Sequence, residues 1–227
     1  MIDHIYCINL RRRADRWRRM AGRLRRRGLV AERFLATDGM AVDASTLPPS
    51  IIVPQFDSTS IARWAKRVEP NRRRTLSAGE IGCALSHLGA WNDVLDKGYE
   101  VALVVEDDVD FASDFVVRLR ALRKRFPARW DLVYLGWDPS AAPAPRAFAP
   151  GLGVPVYHFG TFGYLVSRRG AGRLLELLPV REPIDTFLAG HFPDLRVLCA
   201  VPQLILPQPR SWNDSNVEHS AVRPREP

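Results

Sequence analysis

Residues 101–105, VALVV, are apolar at five successive positions, so both faces of a strand built from them must be covered. Such a run belongs in the middle of a sheet, and its two flanks say which kind. Ahead of it lies LSAGEIGCALSHLGAWNDVLDKG, where Ser77 followed by Glu80 forms a capping box. Ile81, Leu85, Leu88 and Leu95 then repeat at helical spacing, and Gly98 suits a helix stop. Behind it come Glu106, Asp107, Asp108 and Asp110, four carboxylates in five positions.

The same alternation runs along the chain. HIYCINL at 4–10 reads as a buried strand, and 13–27 as a helix with an apolar seam of Ala14, Trp17, Ala21 and Leu24, ended by Gly28. Val30–Ala36 reads as a second strand, closed by the turn Thr37-Asp38-Gly39. Residues 40–75 carry no clear period. Ser113–Phe126 reads as a helix and DLVYLGW as a strand; the Pro/Ala-rich stretch 139–155 reads as a mobile loop or lid. Tyr157–Ser167 is strand-like, 168–178 and 184–190 helical, and 195–206 strand-rich. Strands alternating with helices predict an α/β fold with a mixed, mostly parallel sheet. The expected organisation is one domain over 1–207, with a polar, Pro-rich tail at 208–227 that is weakly ordered unless it folds over a ligand.

Composition narrows the class. The N-terminus has too short an apolar run for a secretory signal, and no run of eighteen apolar residues predicts a membrane span. Three widely spaced cysteines, Cys7, Cys83 and Cys199, form neither a disulfide frame nor a zinc spacing and suggest a reducing compartment. The formal net charge of +8, carried mostly by arginine, favours an acidic partner: a nucleotide, a phosphorylated glycolipid or an anionic membrane surface. No nucleic-acid-binding motif accompanies that charge, so no nucleic acid is expected.

The acidic cluster falls at the carboxyl end of the central strand, where open α/β sheets bind ligands. In extended backbone Glu106, Asp108 and Asp110 share one side and Asp107 faces the other. A divalent cation would relieve their repulsion; without one, a raised carboxyl pKa is expected. The bland alternative is that Asp110 or Ser113 caps the next helix. A response-regulator receiver would need a phospho-accepting Asp where the next strand ends in Gly136, and a later Lys where none follows Lys124. The missing Lys also counts against a dehalogenase-like phosphatase built on Asp108-Val109-Asp110.

Five blocks in order resemble glycosyltransferase family 25, which includes bacterial lipooligosaccharide galactosyltransferases and animal collagen galactosyltransferases: IYCINLRRRADRW, SAGEIGCALSHLGAW, ALVVEDDVDF, GTFGYLVSRRGAGRLL and PID, with VPQLILPQ, and SNV later, resembling the family's final segment. The resemblance implies a GT-A-like, Rossmann-type fold and inverting transfer of a hexose, commonly galactose, from a UDP-sugar to a glycan or glycolipid acceptor, with Mn²⁺ or Mg²⁺. It implies Asp108 as the metal ligand, with Glu106 and Asp110 beside it, and Asn9, Leu10, Arg11, Arg16, Asp38, Gly39, Glu106 and Asp107 on the donor side. Asp185 becomes the expected general base. Ser86, His87, Gly160 and Gly163 are donor or acceptor contacts, while His219 is not expected to join the metal. The implied location is cytoplasmic, at the inner face of the membrane. A catalytically silent binding homologue, or transfer of glucose or N-acetylglucosamine, is the alternative.

Overall fold

The structure is a computed structural model that describes residues 2–57, 73–138 and 143–208. Its backbone is a mixed α/β sheet flanked by helices. β1 (His4–Asn9), β2 (Glu32–Leu35), β5 (Val101–Glu106), β7 (Leu132–Asp138), β8 (Arg146–Ala149), β9 (Leu152–Val154), β10 (Phe159–Ser167) and β11 (Val197–Ala200) form one eight-stranded sheet. Its order is β2-β1-β5-β10-β7-β11-β9-β8. The pairs β1–β2, β1–β5 and β7–β11 are parallel; β10 runs antiparallel to both β5 and β7. β3 (Gln55–Asp57) pairs with β4 (Arg73–Thr75), and β6 (Val109–Phe111) with β12 (Ile205–Pro207).

VALVV is the central strand its composition demands: β5 is buried along its apolar length, between β1 and β10. Ala102 and Val104 face one core, with α2 (Ala78–Lys97), α4 (Arg168–Glu176) and α5 (Ile184–Gly190). Val101, Leu103 and Val105 face the other, with α1 (Ala14–Arg25) and α3 (Phe115–Arg123). The strand period of two thus sorts the chain into two apolar layers.

The start and stop of α2 follow the sequence closely. Ser77 Oγ accepts from the Glu80 amide, Glu80 returns the bond to the Ser77 amide, and Gly98 takes the left-handed conformation at φ 72°. α1 differs from its expected seam, because its buried face is Arg16, Met20 and Leu24. A charged residue entered the core-facing stripe there, and its partners come from far along the chain. Residues 40–57 and 73–75 hold two short 3₁₀ turns, Gly39–Ala41 and Ala44–Thr46, besides β3 and β4.

The expected lid at 139–155 is instead largely a hairpin. β8 and β9 extend the sheet edge because Gly153 and Leu152 pair with Cys199 and Ala200, satisfying backbone groups that a loose loop would leave open. Residues 139–142 and 209–227, the latter including His219, lie outside the described residues. Among the described residues, no helix is long and apolar enough to cross a membrane.

Candidate active site

A pocket opens at the carboxyl ends of β1 and β5. It is lined by Leu10, Arg12 and Arg16, by the turn Thr37–Met40, by Gly82, Cys83 and Ser86 of α2, and by Glu106, Asp107 and Asp108. The turn sits tight against the helix. A Cβ on Gly39 would run into the Ala78 carbonyl, and one on Gly82 would come within 2.6 Å of the Gly39 nitrogen. Ser86 ties the two together: its hydroxyl accepts from the Thr37 amide at 2.9 Å and donates to the Gly82 carbonyl at 2.6 Å. Ser86 and Gly39 therefore shape the pocket wall. Asp38 caps the 3₁₀ turn through the Met40 amide and pairs with Arg12.

The acids separate into three environments because the chain turns at Asp107-Asp108 between β5 and β6. Asp107 is buried; it accepts from Asn9 Nδ2 at 2.5 Å and from Arg16 Nη1 at 2.9 Å. Burial raises its pKa, and those two partners partly offset the shift. Asn9 is held in turn by Arg33 Nε at 2.7 Å. Asn9, Arg16 and Asp107 thus form a buried frame, and Arg16 and Asp107 also line the pocket. Arg16 reaches on to Asp108 Oδ2 at 3.2 Å. Asp108 is pushed up to about 7 by burial and by the negative charge of Glu106. Glu106 accepts from the Thr161 hydroxyl at 2.5 Å.

Asp110 departs from its expected place. The turn breaks the alternation that would have put it beside Asp108; its carboxylate accepts from the Phe111 amide and lies 3.6 Å from Arg23 and 3.9 Å from Arg27. It is half-exposed and does not line the pocket. Nor does it cap α3, whose N-cap is Asp114 without a side-chain bond. Arg11 is exposed and also stands outside the lining, where Arg12 takes its place.

Asp185 lies in the first turn of α5 without capping it. Its Oδ2 accepts from the Gly160 amide at 3.0 Å and its Oδ1 from the Thr186 amide at 2.8 Å. Burial raises its pKa. Gly160, at φ 77°, opens β10 and leads directly to Thr161, the partner of Glu106, so Asp185 and Glu106 are joined through one short segment. Asp185 is not part of the pocket lining itself. Gly163 is a packing position, since a Cβ there would meet Ile205 and Val105. His87 is fully buried behind the pocket, with Nε2 3.8 Å from Glu106 Oε1.

Two carboxylates at one pocket end, one with its proton affinity raised by burial and by the charge of the other, fit a hard divalent cation, whose charge would relieve that repulsion. Arg12, Thr37, Cys83 and Thr161 were given no site role from the sequence. Arg12 carries a local signal, since it directly follows Leu10-Arg11; Thr161 lies between Gly160 and Gly163, but its partner is 55 residues away.

The profile of Glycosyltransferase family 25 (LPS biosynthesis protein) matches residues 2–142. Procollagen galactosyltransferase 1 of Danio rerio is 34% identical over 90% of this chain and 36% of its own length. Procollagen galactosyltransferase 2 of Homo sapiens is 31% identical over 90% of this chain and 35% of its own. The Homo sapiens inactive glycosyltransferase 25 family member 3 is 34% identical over 84% and 32%. The chain thus spans about a third of the length of these relatives. A Drosophila β-1,4-galactosyltransferase 7 mutant solved with manganese, UDP-Gal and xylobiose aligns over 98% of this chain and 77% of its own, at 10% identity and a TM-score of 0.44, a likeness too slight to carry an argument. The profile match runs from β1 through the acidic end of β5 and on past β7, the part of the fold that builds the pocket, and on that ground the chain belongs to glycosyltransferase family 25.

Proposed function

We propose that this chain is a metal-dependent galactosyltransferase that moves galactose, with inversion, from UDP-galactose to a glycan or glycolipid acceptor such as a lipooligosaccharide. The observation that carries the reading is the end of β5: Glu106 and Asp108 line a pocket that continues to Asp38, and Asp108 is pushed up to about 7. The procollagen galactosyltransferase relatives support galactose as the sugar.

Asp108 and Glu106 would hold Mn²⁺ or Mg²⁺. The ion supplies charge neutralisation for the departing diphosphate. Arg16 balances Asp107 and steadies Asp108, so the acidic end holds its shape without ligand. Asp38, Arg12 and Thr37 form the wall suited to the nucleoside. Asp185 takes the proton of the acceptor hydroxyl as that oxygen attacks the anomeric carbon. Its raised pKa makes it a stronger base than an exposed carboxylate. The exposed Arg11, Arg18, Arg25 and Arg26 suit a phosphorylated acceptor or an anionic membrane surface at the cytoplasmic face.

The test is release of UDP from UDP-galactose, with and without a glycan acceptor and Mn²⁺. Asp108→Asn is expected to lower turnover at least ~100-fold while the protein stays folded; near-normal turnover defeats the assignment. Asp185→Asn is expected to cut turnover and spare UDP affinity, and loss of UDP binding instead removes the base role. A silent homologue is the second reading, favoured by the inactive relative at 34% identity. It predicts UDP binding with no UDP release from UDP-galactose under any acceptor.

A further inference from the structure

A line of buried hydrogen-bonding groups leads from the core of α2 to Glu106, and the roles above leave it unused. Trp91 Nε1 donates to the Tyr164 hydroxyl at 2.8 Å, and that hydroxyl lies 2.8 Å from His87 Nδ1. All three residues are fully buried. Indole N–H is only a donor, so the Tyr164 oxygen accepts from Trp91. The hydroxyl proton then needs an acceptor, and the one that the described residues offer is His87 Nδ1. With Nδ1 accepting, the ring carries a proton on Nε2. That atom is buried, has no hydrogen-bond partner among the described residues, and lies 3.8 Å from Glu106 Oε1. The same oxygen already accepts from Thr161.

We infer that Trp91, Tyr164 and His87 form a positioning relay: together with Thr161 it fixes Glu106 by Oε1 and leaves Oε2 for the hexose or metal end of the nucleotide-sugar. Glu106 is a long side chain, one-quarter exposed, so a short movement brings Oε1 into reach of Nε2. Such bonds are commonly long before ligand binds and tighten in the complex. An N–H left unpaired in the core is costly, which gives the closure a driving force. The inference also decides the nearby trio Cys83, His87 and Glu106, whose ligating atoms lie within 4.8 Å of one another. A nitrogen bearing a proton has no lone pair for a cation, so His87 serves Glu106 and not a second metal.

The role of Glu106 rests on the nucleotide-sugar reading, but the state of the histidine does not. Nitrogen-15 NMR of the ligand-free protein reads the tautomer directly: a proton at Nε2 is expected, and a lone pair at Nε2 overturns the relay. Affinity for UDP-galactose with Mn²⁺, compared with UDP alone, then tests its purpose. His87→Leu is expected to weaken UDP-galactose about tenfold and UDP alone hardly at all, with part of the loss recovered by His87→Gln, which restores an N–H donor. Tyr164→Phe, which frees the tautomer without opening the site, is expected to move the same way by a smaller factor. In a Glu106→Ala background, which removes the acceptor, His87→Leu should add nothing; additive losses mean that His87 does not act through Glu106 and overturn the inference. If the unsubstituted protein bound neither UDP nor UDP-galactose, the nucleotide-sugar reading would fail and the relay's purpose with it, whereas a flat response to His87→Leu with UDP-galactose still bound defeats the relay alone.

Discussion

Asp108 and Arg16 show how one side chain's surroundings become a measurable property. Asp108 holds its proton up to about pH 7 in the folded chain, whereas an exposed aspartate releases it near pH ~4. Between those values the folded state binds more protons than the unfolded one, so stability falls as pH rises across that window. Asp107 and Asp185 are shifted in the same direction and add to the slope. Asp108→Asn removes its share. Urea midpoints at pH 5 and pH 8 are expected to show the unsubstituted protein losing about 1–3 kcal/mol more than the variant over that interval; parallel curves mean that Asp108 is not the strained acid. The raised carboxyl was legible in the sequence from the crowding of acids, while burial, its larger cause, was not. The placement of Asp110 was not legible, because strand alternation was carried through a turn at Asp107-Asp108, although aspartate itself favours turns. Arg16 was expected on the donor side but not as an interior residue, since its partners lie 91 and 92 residues away.

At the scale of elements, α2 acts as both a core helix and the wall that carries the Thr37–Met40 turn. Its two serines separate these jobs. Ser77 satisfies the amides of the first turn as half of the capping box, so Ser77→Ala is expected to cost about 1 kcal/mol in denaturant midpoint with UDP affinity unchanged. Ser86 instead bonds the Thr37 amide across to the turn. Ser86→Ala is expected to cost a similar ~1 kcal/mol and, unlike Ser77→Ala, to weaken UDP several-fold, because the turn loses its anchor. Equal effects of both variants on UDP would remove the distinction. Gly39→Ala is more severe, since the added methyl meets the Ala78 carbonyl; a loss of about 1–3 kcal/mol together with UDP binding is expected. Ser77, Glu80 and Gly98 were legible because capping and stopping a helix are local matters of hydrogen bonding and φ. The bond from Ser86 to Thr37 joins residues 49 apart, and sequence spacing carries no trace of it. The hairpin of β8 and β9 was missed for a related reason: Pro and Ala read as a loop until β11 supplies an edge to pair with.

At the scale of the whole molecule, the candidate pocket opens at the carboxyl ends of β1 and β5. Both apolar cores are built from the chain's own side chains. The acidic end of β5, by contrast, keeps an electrostatic cost that Arg16 offsets only in part, as the raised Asp108 records. Metal and nucleotide should therefore bind as a pair. Mn²⁺ alone would be held by Asp108 and Glu106, and UDP alone would bring further negative charge to an acidic pocket end. Each lowers the cost of the other, and linkage requires the coupling to be equal in both directions. At a free concentration a hundredfold above the joint dissociation constant, binding adds about 2.7 kcal/mol to stability. For a chain of this size that corresponds to a rise in Tm of roughly 5–10 °C. Thermal melts with Mn²⁺, with UDP and with both are expected to show small shifts singly and a larger-than-additive shift together, and Asp108→Asn should reduce the joint shift to the sum of the single ones. An additive result in the unsubstituted protein would mean that the nucleotide binds away from Glu106 and Asp108, and the acidic end of the central strand would then need another partner.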